Sequence, residues 1–150
     1  MSRKFRIFAT KEKVIMSNFQ PCIKWSGSKR SQAKKILEYF PRQIETYYEP
    51  FCGGASVFRA LVDSDIKVKR FVLSDSNPNL INLWQRIKTF PKMVSDRYRE
   101  LWNEMHDYKK TVKEKQAFYN SIREGYNKTF NPCDFMFLMR TCYNGRTILI

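Results

Sequence analysis

The sequence predicts an α/β fold, in which the nucleoside-binding half of a doubly wound parallel sheet precedes a helical segment. An apolar run at 46–49 leads into the glycine pair Gly53-Gly54, and a helix is predicted over 56–62. A second apolar run at 70–74 ends beside Asp75, about 20 positions after the glycines. This order of strand, glycine turn, helix, strand and carboxylate is typical of a unit that binds a nucleoside.

The glycine pair and the carboxylate indicate where such a ligand binds. Gly53 and Gly54 stand where the strand turns into its helix, and residues without a side chain let a bulky cofactor approach the main chain. The two oxygens of Asp75 can accept hydrogen bonds from both hydroxyls of a ribose. Glycine in such a turn also has a purely conformational explanation, so the pair alone leaves both explanations open. With Glu49 and Asp75 added, the pattern favours a cofactor.

Composition indicates the class of partner. The 150 residues are 43% hydrophobic and 15% aromatic, enough to bury the core of one domain. Lys and Arg number 28 against 14 Asp and Glu, a net charge of +14 spread along the whole chain. A uniformly basic folded domain is typical of proteins that bind nucleic acid, and a solvated basic surface without a partner is the alternative.

Cysteine and histidine usage argues against a metal site. The four cysteines include no Cys-x-x-Cys pair, and His106, interpreted as a solvated helix residue, is the one histidine. No signal segment and no apolar run long enough to cross a bilayer occurs in the sequence. We therefore expect a cytoplasmic protein with free thiols, no metal and no membrane contact.

The chain divides into three predicted segments. Residues 1–18 form a basic arm that we expect to be poorly ordered and to carry little function. Residues 19–76 contain a helix near 31–40 and then the strand, helix, strand unit, whose strands are expected to be parallel. From residue 77 onward the apolar period is helical, and helices are predicted over 77–90, 92–106, 112–126 and 133–143. Asn131-Pro132 is interpreted as the start of the last helix.

Two further segments carry side chains suited to ligands. Residues 24–29 place the Trp25 indole and the ammonium groups of Lys24 and Lys29 around a turn, which suits a carboxylate; a core Trp between solvated lysines is the alternative. Near the other end, Arg140, Tyr143 and Asn144 can contact a phosphate, a base face and a base edge. Asn followed by Gly is equally typical of a plain helix C-cap.

Five blocks, in order, resemble one family. They are Lys24-Trp25-x-Gly27-x-Lys29, Glu49-Pro50-Phe51-x-Gly53-Gly54-x-Ser56-Val57-Phe58, Asp75-x-Asn77-x-x-Leu80-Ile81-x-Leu83, Arg123-Glu124-x-x-Asn127-Lys128 and Phe137-Leu138-x-Arg140-x-x-Tyr143-Asn144-Gly145. Together they strongly resemble the Dam-type (D12 class) adenine-specific DNA methyltransferases. The resemblance implies an incomplete Rossmann-like, S-adenosyl-L-methionine-dependent methyltransferase sheet over 19–76. It implies a helical insertion over 77–150 that recognises double-stranded DNA.

The resemblance also assigns roles to individual residues. It implies that S-adenosylmethionine is held by Trp25, Lys29, Glu49, Phe51, Gly53 and Asp75. It implies that DNA is approached by Lys24, Lys128, Arg140, Tyr143 and Asn144. The implied reaction is methyl transfer to the exocyclic N6 of an adenine flipped out of the duplex.

Departures from the family pattern qualify these expectations. Ser28 and Ala55 stand where the family usually has glycine, and the catalytic Asp-Pro-Pro-Tyr motif is absent from the 150 residues. We therefore expect a truncated methyltransferase that is inactive alone. Its strand at 46–49 should expose an open apolar edge to a complementing C-terminal methyltransferase fragment. The alternatives are a non-enzymatic DNA-binding remnant and a decayed gene product that does not fold stably.

Overall fold

The structure is a computed structural model that describes residues 5–7 and 22–142. Its elements are β1 (Phe5–Ile7), α1 (Ala33–Leu37), β2 (Gln43–Glu49), α2 (Ser56–Val62), β3 (Lys67–Leu73), α3 (Pro78–Thr89), α4 (Pro91–Met105), α5 (Val112–Thr129) and α6 (Pro132–Thr141). The chain separates into two compact units, Met1–Ile81 and Asn82–Ile150, with the boundary inside α3. Among the described helices, none combines the length and apolar character needed to cross a bilayer.

A three-stranded sheet, in the order β1-β3-β2, forms the centre of the first unit. β2 and β3 are parallel, with Glu49 opposite Leu73, so the predicted parallel strand, helix, strand unit is confirmed. β1 pairs antiparallel with the other side of β3, with Phe5 opposite Leu73. Our expectation that the basic arm is poorly ordered was therefore wrong for Phe5–Ile7. The free side of β3 offers backbone groups to a third strand, and three residues suffice to pair there.

β3 is more buried than β2, because β3 has a strand on each side and α2 packs on it. Phe71 and Leu73 of β3 are buried, and the Phe58 ring of α2 meets Phe71 edge-on at 5.2 Å between centroids. α1 contacts α2. α1 is helical only over Ala33–Leu37 and is shorter than the predicted 31–40, because the residues on both sides form turns.

β2 is the outer strand of the sheet within the part of the chain that the structure describes. The open edge predicted for this strand is thus present. Its character differs from the prediction, because the exposed Gln43 and Glu45 alternate with the half-buried Ile44 along the strand, and Tyr48 is exposed. The edge is therefore mixed in polarity and not apolar.

The second unit is built around α6. Residues 135–139 of this helix are all buried, and both α4 and α5 contact it. Asn131 caps the helix by accepting a hydrogen bond from the Cys133 amide at 2.9 Å, and Pro132 occupies the first turn, as predicted. The Arg97 guanidinium of α4 pairs with the carboxylate of Asp134 at 3.1 Å, which joins α4 to the first turn of α6.

α5 begins with a capping box, in which Thr111 and Glu114 exchange hydrogen bonds between side chain and backbone. Its other end differs from the usual pattern, because the C-cap residue Phe130 has a φ of +52°. α5 extends to Thr129, three residues beyond its predicted end.

Tyr126 generates a prediction about stability. Its ring is fully buried and stacked on Phe135 at 5.4 Å, and its hydroxyl has no hydrogen-bond partner among the described residues. Burial raises the pKa of Tyr126 to about 12. Tyr126→Phe should increase the free energy of unfolding by about 1 kcal/mol, because it removes a hydroxyl that has lost water without gaining a partner. Urea unfolding of the full chain measures this change.

Tyr108→Phe is the matched control for this measurement. Tyr108 is 87% exposed, so removing its hydroxyl should leave the free energy of unfolding unchanged. A clear loss of stability in Tyr126→Phe would contradict the prediction and show that the hydroxyl is satisfied.

Candidate functional site

A cleft of about 220 Å³ lies in the first unit, where the turns that follow β2 and β3 meet. All the residues predicted to hold the cofactor line it, namely Trp25, Lys29, Glu49, Phe51, Gly53 and Asp75. The parallel pairing of β2 and β3 brings Glu49, Phe51 and Gly53 together with Asp75 at the carboxyl ends of the two strands. Trp25 and Lys29 come from a third stretch, which contacts the glycine turn through the Trp25 indole. We call this site the β2–β3 cleft.

Asp75 joins the two turns that form the β2–β3 cleft. Its Oδ2 accepts a hydrogen bond from the Gly53 amide at 2.9 Å, and its Oδ1 accepts one from the Asn77 amide at 3.0 Å. The sequence predicted a carboxylate in the cleft and missed these backbone partners. Each carboxylate oxygen can accept a second hydrogen bond, so the side chain is fixed in place and still able to bind a ligand.

Position 53 requires a glycine, because the Trp25 side chain packs against its main chain. The φ of Gly53 is +49°, a conformation that favours glycine, and a Cβ atom there would lie 2.8 Å from Cδ1 of the Trp25 indole. A Cβ on Gly54 would lie 3.2 Å from the carbonyl oxygen of Ile23. The close approach that we attributed to a cofactor is therefore made, within the chain itself, by the segment 23–25.

Glu49 is a half-buried carboxylate at the end of β2. Its Oε2 accepts hydrogen bonds from the Tyr47 hydroxyl at 2.9 Å and from the Phe58 amide at 3.0 Å. Both bonds favour the charged form, but burial outweighs them and raises the pKa of Glu49. The site therefore contains a carboxylate that a nearby positive charge would stabilise.

Cys52 lies between the two carboxylates of the cleft and is buried. Burial, together with the charges of Asp75 and Glu49, raises the pKa of the Cys52 thiol to about 12. A neutral thiol is a poor nucleophile, so the structure gives Cys52 a packing role at this turn. No cluster of three His, Cys, Asp or Glu side chains suited to a metal ion occurs in residues 22–142.

The mouth of the cleft carries features that the sequence did not reveal. The hydroxyls of Ser28 and Ser56 lie 2.6 Å apart and connect the turn after Trp25 with the first residue of α2. The one available signal was that Ser28 replaces a glycine of the family pattern. Lys29 is exposed beside this pair, and the Phe51 ring is 83% exposed.

The residues predicted to approach DNA are less clearly arranged. Lys24 is exposed in the first unit, and Lys128 is exposed near the end of α5 in the second. Arg140 of α6 is half-buried; its Nε donates to the Tyr98 hydroxyl at 3.2 Å, and its guanidinium lies 5.5 Å from the centre of that ring. Tyr143 and Asn144 lie outside the described residues.

Comparison with known proteins finds a matching family and several related proteins. The model of the D12 class N6 adenine-specific DNA methyltransferases matches residues 25–148. The chain is 30% identical over 138 residues to the type II methyltransferase M.MjaIII of Methanocaldococcus jannaschii, covering 84% of this chain and 47% of that protein. It is 32% identical over 127 residues to the DNA adenine methylase of Escherichia coli K12, covering 82% of this chain and 41% of that protein.

A viral relative shows the same partial overlap. The type II methyltransferase M.CviBI of Paramecium bursaria Chlorella virus NC1A is 26% identical over 128 residues, covering 84% of this chain and 44% of that protein. The chain thus spans less than half the length of the curated relatives that it matches. Because the family match extends over most of its residues, the chain belongs to the D12 class of N6 adenine-specific DNA methyltransferases.

Proposed function

We propose that the β2–β3 cleft binds S-adenosyl-L-methionine and that the chain forms the cofactor-binding and DNA-recognition parts of a DNA adenine N6-methyltransferase. The observation that carries this proposal is the meeting of all six predicted cofactor residues around one cleft. In this proposal the three-stranded sheet is part of an incomplete Rossmann-like methyltransferase sheet.

The residues of the cleft fit the chemistry of this cofactor. The remaining acceptor capacity of Asp75 suits the two ribose hydroxyls. Glu49, whose pKa burial raises, suits the positive charges of the sulfonium and the amino group. Lys29 supplies an ammonium group for the carboxylate at the methionine end.

The size of the cleft indicates how much of the cofactor it encloses. Its volume of about 220 Å³ is below the roughly 300 Å³ at which enclosed sites for larger ligands begin. We therefore assign it part of the ligand. Phe51, exposed at the mouth, offers an aromatic face for the remainder.

Methyl transfer needs groups that these residues do not supply. When bound, the cofactor supplies an activated methyl group, and the chain's own residues bind and orient it. The Asp-Pro-Pro-Tyr motif does not occur in the 150 residues. We propose that residues other than these 150, carried by a complementing C-terminal methyltransferase fragment or by further chain, provide the motif beside the open edge of β2.

Double-stranded DNA is the proposed second partner. A net charge of +14 favours a polyanion, the matching family is described as DNA methyltransferases, and one relative is named a DNA adenine methylase. We propose that the second unit contacts the duplex, with Lys128 and Arg140 among the residues that face it. Lys24 of the first unit is proposed to approach a base.

Calorimetric titration of the full chain with S-adenosylmethionine tests the cofactor site. Asp75→Ala should weaken binding about 10- to 100-fold, because it removes charged acceptors for the ribose and releases the Gly53 amide. Asp65→Ala, which removes an exposed carboxylate of the same unit, should leave affinity unchanged. An unaltered affinity in Asp75→Ala, or no binding by the unmodified chain, would refute the proposal.

Paired glycine variants test the role of the Trp25 indole. Gly53→Ala and Gly27→Ala both place a side chain at positive φ, and each should lower the free energy of unfolding by about 1 kcal/mol. Only at Gly53 does the new Cβ collide with the indole, since nothing lies within 4 Å of a Cβ on Gly27. Gly53→Ala alone should therefore show a loss of stability beyond that of Gly27→Ala. Equal behaviour of the two variants would contradict this role.

Glu49 makes cofactor binding depend on pH. Because burial raises the pKa of Glu49 in the folded chain, the folded state retains this proton to higher pH than the unfolded state. A bound positive charge favours the ionised form, so binding should release the proton. Cofactor affinity should thus rise as the pH increases from about 4.5 towards neutrality. Carboxyls of ordinary pKa are largely ionised over this range and contribute little to the change. Titrations in buffers of different ionisation heat measure the released proton.

Glu49→Gln is the control for this pH dependence. It should flatten the part of the affinity profile that is due to this carboxyl and abolish the associated proton release. The stability of the unmodified chain relative to Glu49→Gln should fall as pH rises through the same range, because the folded state binds more protons there. Identical pH profiles for the two proteins would show that Glu49 does not sense the cofactor.

A further inference from the structure

A second cleft, of about 430 Å³, lies wholly within the second unit. It is formed by the last turns of α3, by Phe90 immediately before α4, and by the junction of α5 with α6. Its lining includes Gln85, Arg86, Thr89, Phe90, Phe130 and Pro132. We call it the Phe90–Phe130 cleft.

The polar groups of this cleft suit a phosphate. Arg86 supplies a guanidinium, Gln85 an amide and Thr89 a hydroxyl, and no carboxylate is among the residues that line the cleft. Within the described residues, the Arg86 guanidinium lies 5.4 Å from the centre of the Phe90 ring and pairs with no carboxylate. Arg, Gln and Thr side chains are typical donors to the phosphates of nucleic acids.

The two aromatic rings are unusually open. Phe90 is 49% exposed and Phe130 is 52% exposed, although both belong to a well-covered helical unit. Phe130 also has a φ of +52° at the helix C-cap, where glycine or asparagine is normally favoured. Its ring meets the ring of Tyr126 edge-on, with 5.8 Å between the centroids. The chain thus places an exposed ring at a position where a different residue would be more stable.

We propose that the Phe90–Phe130 cleft binds one phosphate and the adjoining deoxyribose of the DNA backbone. Arg86 pairs with the phosphate, and the Phe130 ring packs against the sugar. This inference rests on the proposed function, since it takes duplex DNA as the partner. Backbone groups are the same in every sequence, so the cleft contributes affinity and positioning without reading bases. The net charge of +14 complements such a ligand.

Fluorescence anisotropy with labelled 20-base-pair duplexes, about two turns of DNA, tests the phosphate contact. Arg86→Gln in the full chain should weaken binding about tenfold at low salt. It should also reduce the slope of log affinity against log salt by about one, because one phosphate contact is lost. The loss should be equal for duplexes of unrelated sequence. A loss confined to one sequence would overturn the assignment to the backbone.

Phe130→Asn separates binding from folding. Asparagine accepts positive φ more readily than phenylalanine, so the variant should retain its stability in urea while its DNA affinity falls several-fold. Tyr108→Asn removes another exposed ring of the same unit, outside the cleft, and should leave affinity unchanged. Reduced stability with unchanged DNA affinity in Phe130→Asn would show that the ring is structural and would overturn the inference.

The outcomes also distinguish this inference from the proposed function. If the unmodified chain binds duplexes and both cleft variants bind equally well, this inference alone fails. If the unmodified chain binds no duplex DNA, this inference fails together with the proposed DNA partner. In either case the calorimetric titration with S-adenosylmethionine reports separately on the β2–β3 cleft.

Discussion

The hydrogen bond from the Gly53 amide to the Asp75 carboxylate is the interaction on which the β2–β3 cleft depends. The pairing of the two strands does not stop at their ends, because the Ser74 amide donates to the Glu49 carbonyl at 2.9 Å and the Cys52 amide to the Ser74 carbonyl at 3.0 Å. Asp75 then fixes the next turn, 2.9 Å from Gly53. The floor of the cleft is thus a continuation of the sheet, and main-chain bonds together with the Asp75 carboxylate set its geometry.

The two clefts have opposite electrostatic character within a strongly basic chain. Glu49 and Asp75 place carboxylates in the first, and Arg86 places a guanidinium in the second, whose lining has no carboxylate. This division suits the proposed cationic methyl donor and the proposed anionic DNA backbone. Because each cleft belongs to one unit, the proposed ligands are recognised by separately built surfaces.

Much of the fold follows from local sequence signals. The parallel strand, helix, strand unit, the start of α6 and the order of the helices were all predictable, because apolar period, glycine and proline act over a few residues. β1 was not predictable, since the strand with which it pairs lies more than 60 residues away. In addition, three residues are too few to show the alternation of apolar and polar side chains that indicates a strand. The residues that line the β2–β3 cleft were predictable from motif positions. The contact of Trp25 with Gly53 and the pairing of Ser28 with Ser56 were not, because they depend on how one loop lies over another.

The central position of α6 has a consequence for how the second unit is made. α4 and α5 precede α6 in the chain, and the buried residues 135–139 are the surface against which both are arranged. During translation these two helices leave the ribosome before that surface exists. The faces of α4 and α5 that pack on α6 therefore stay uncovered by it until α6 itself has emerged.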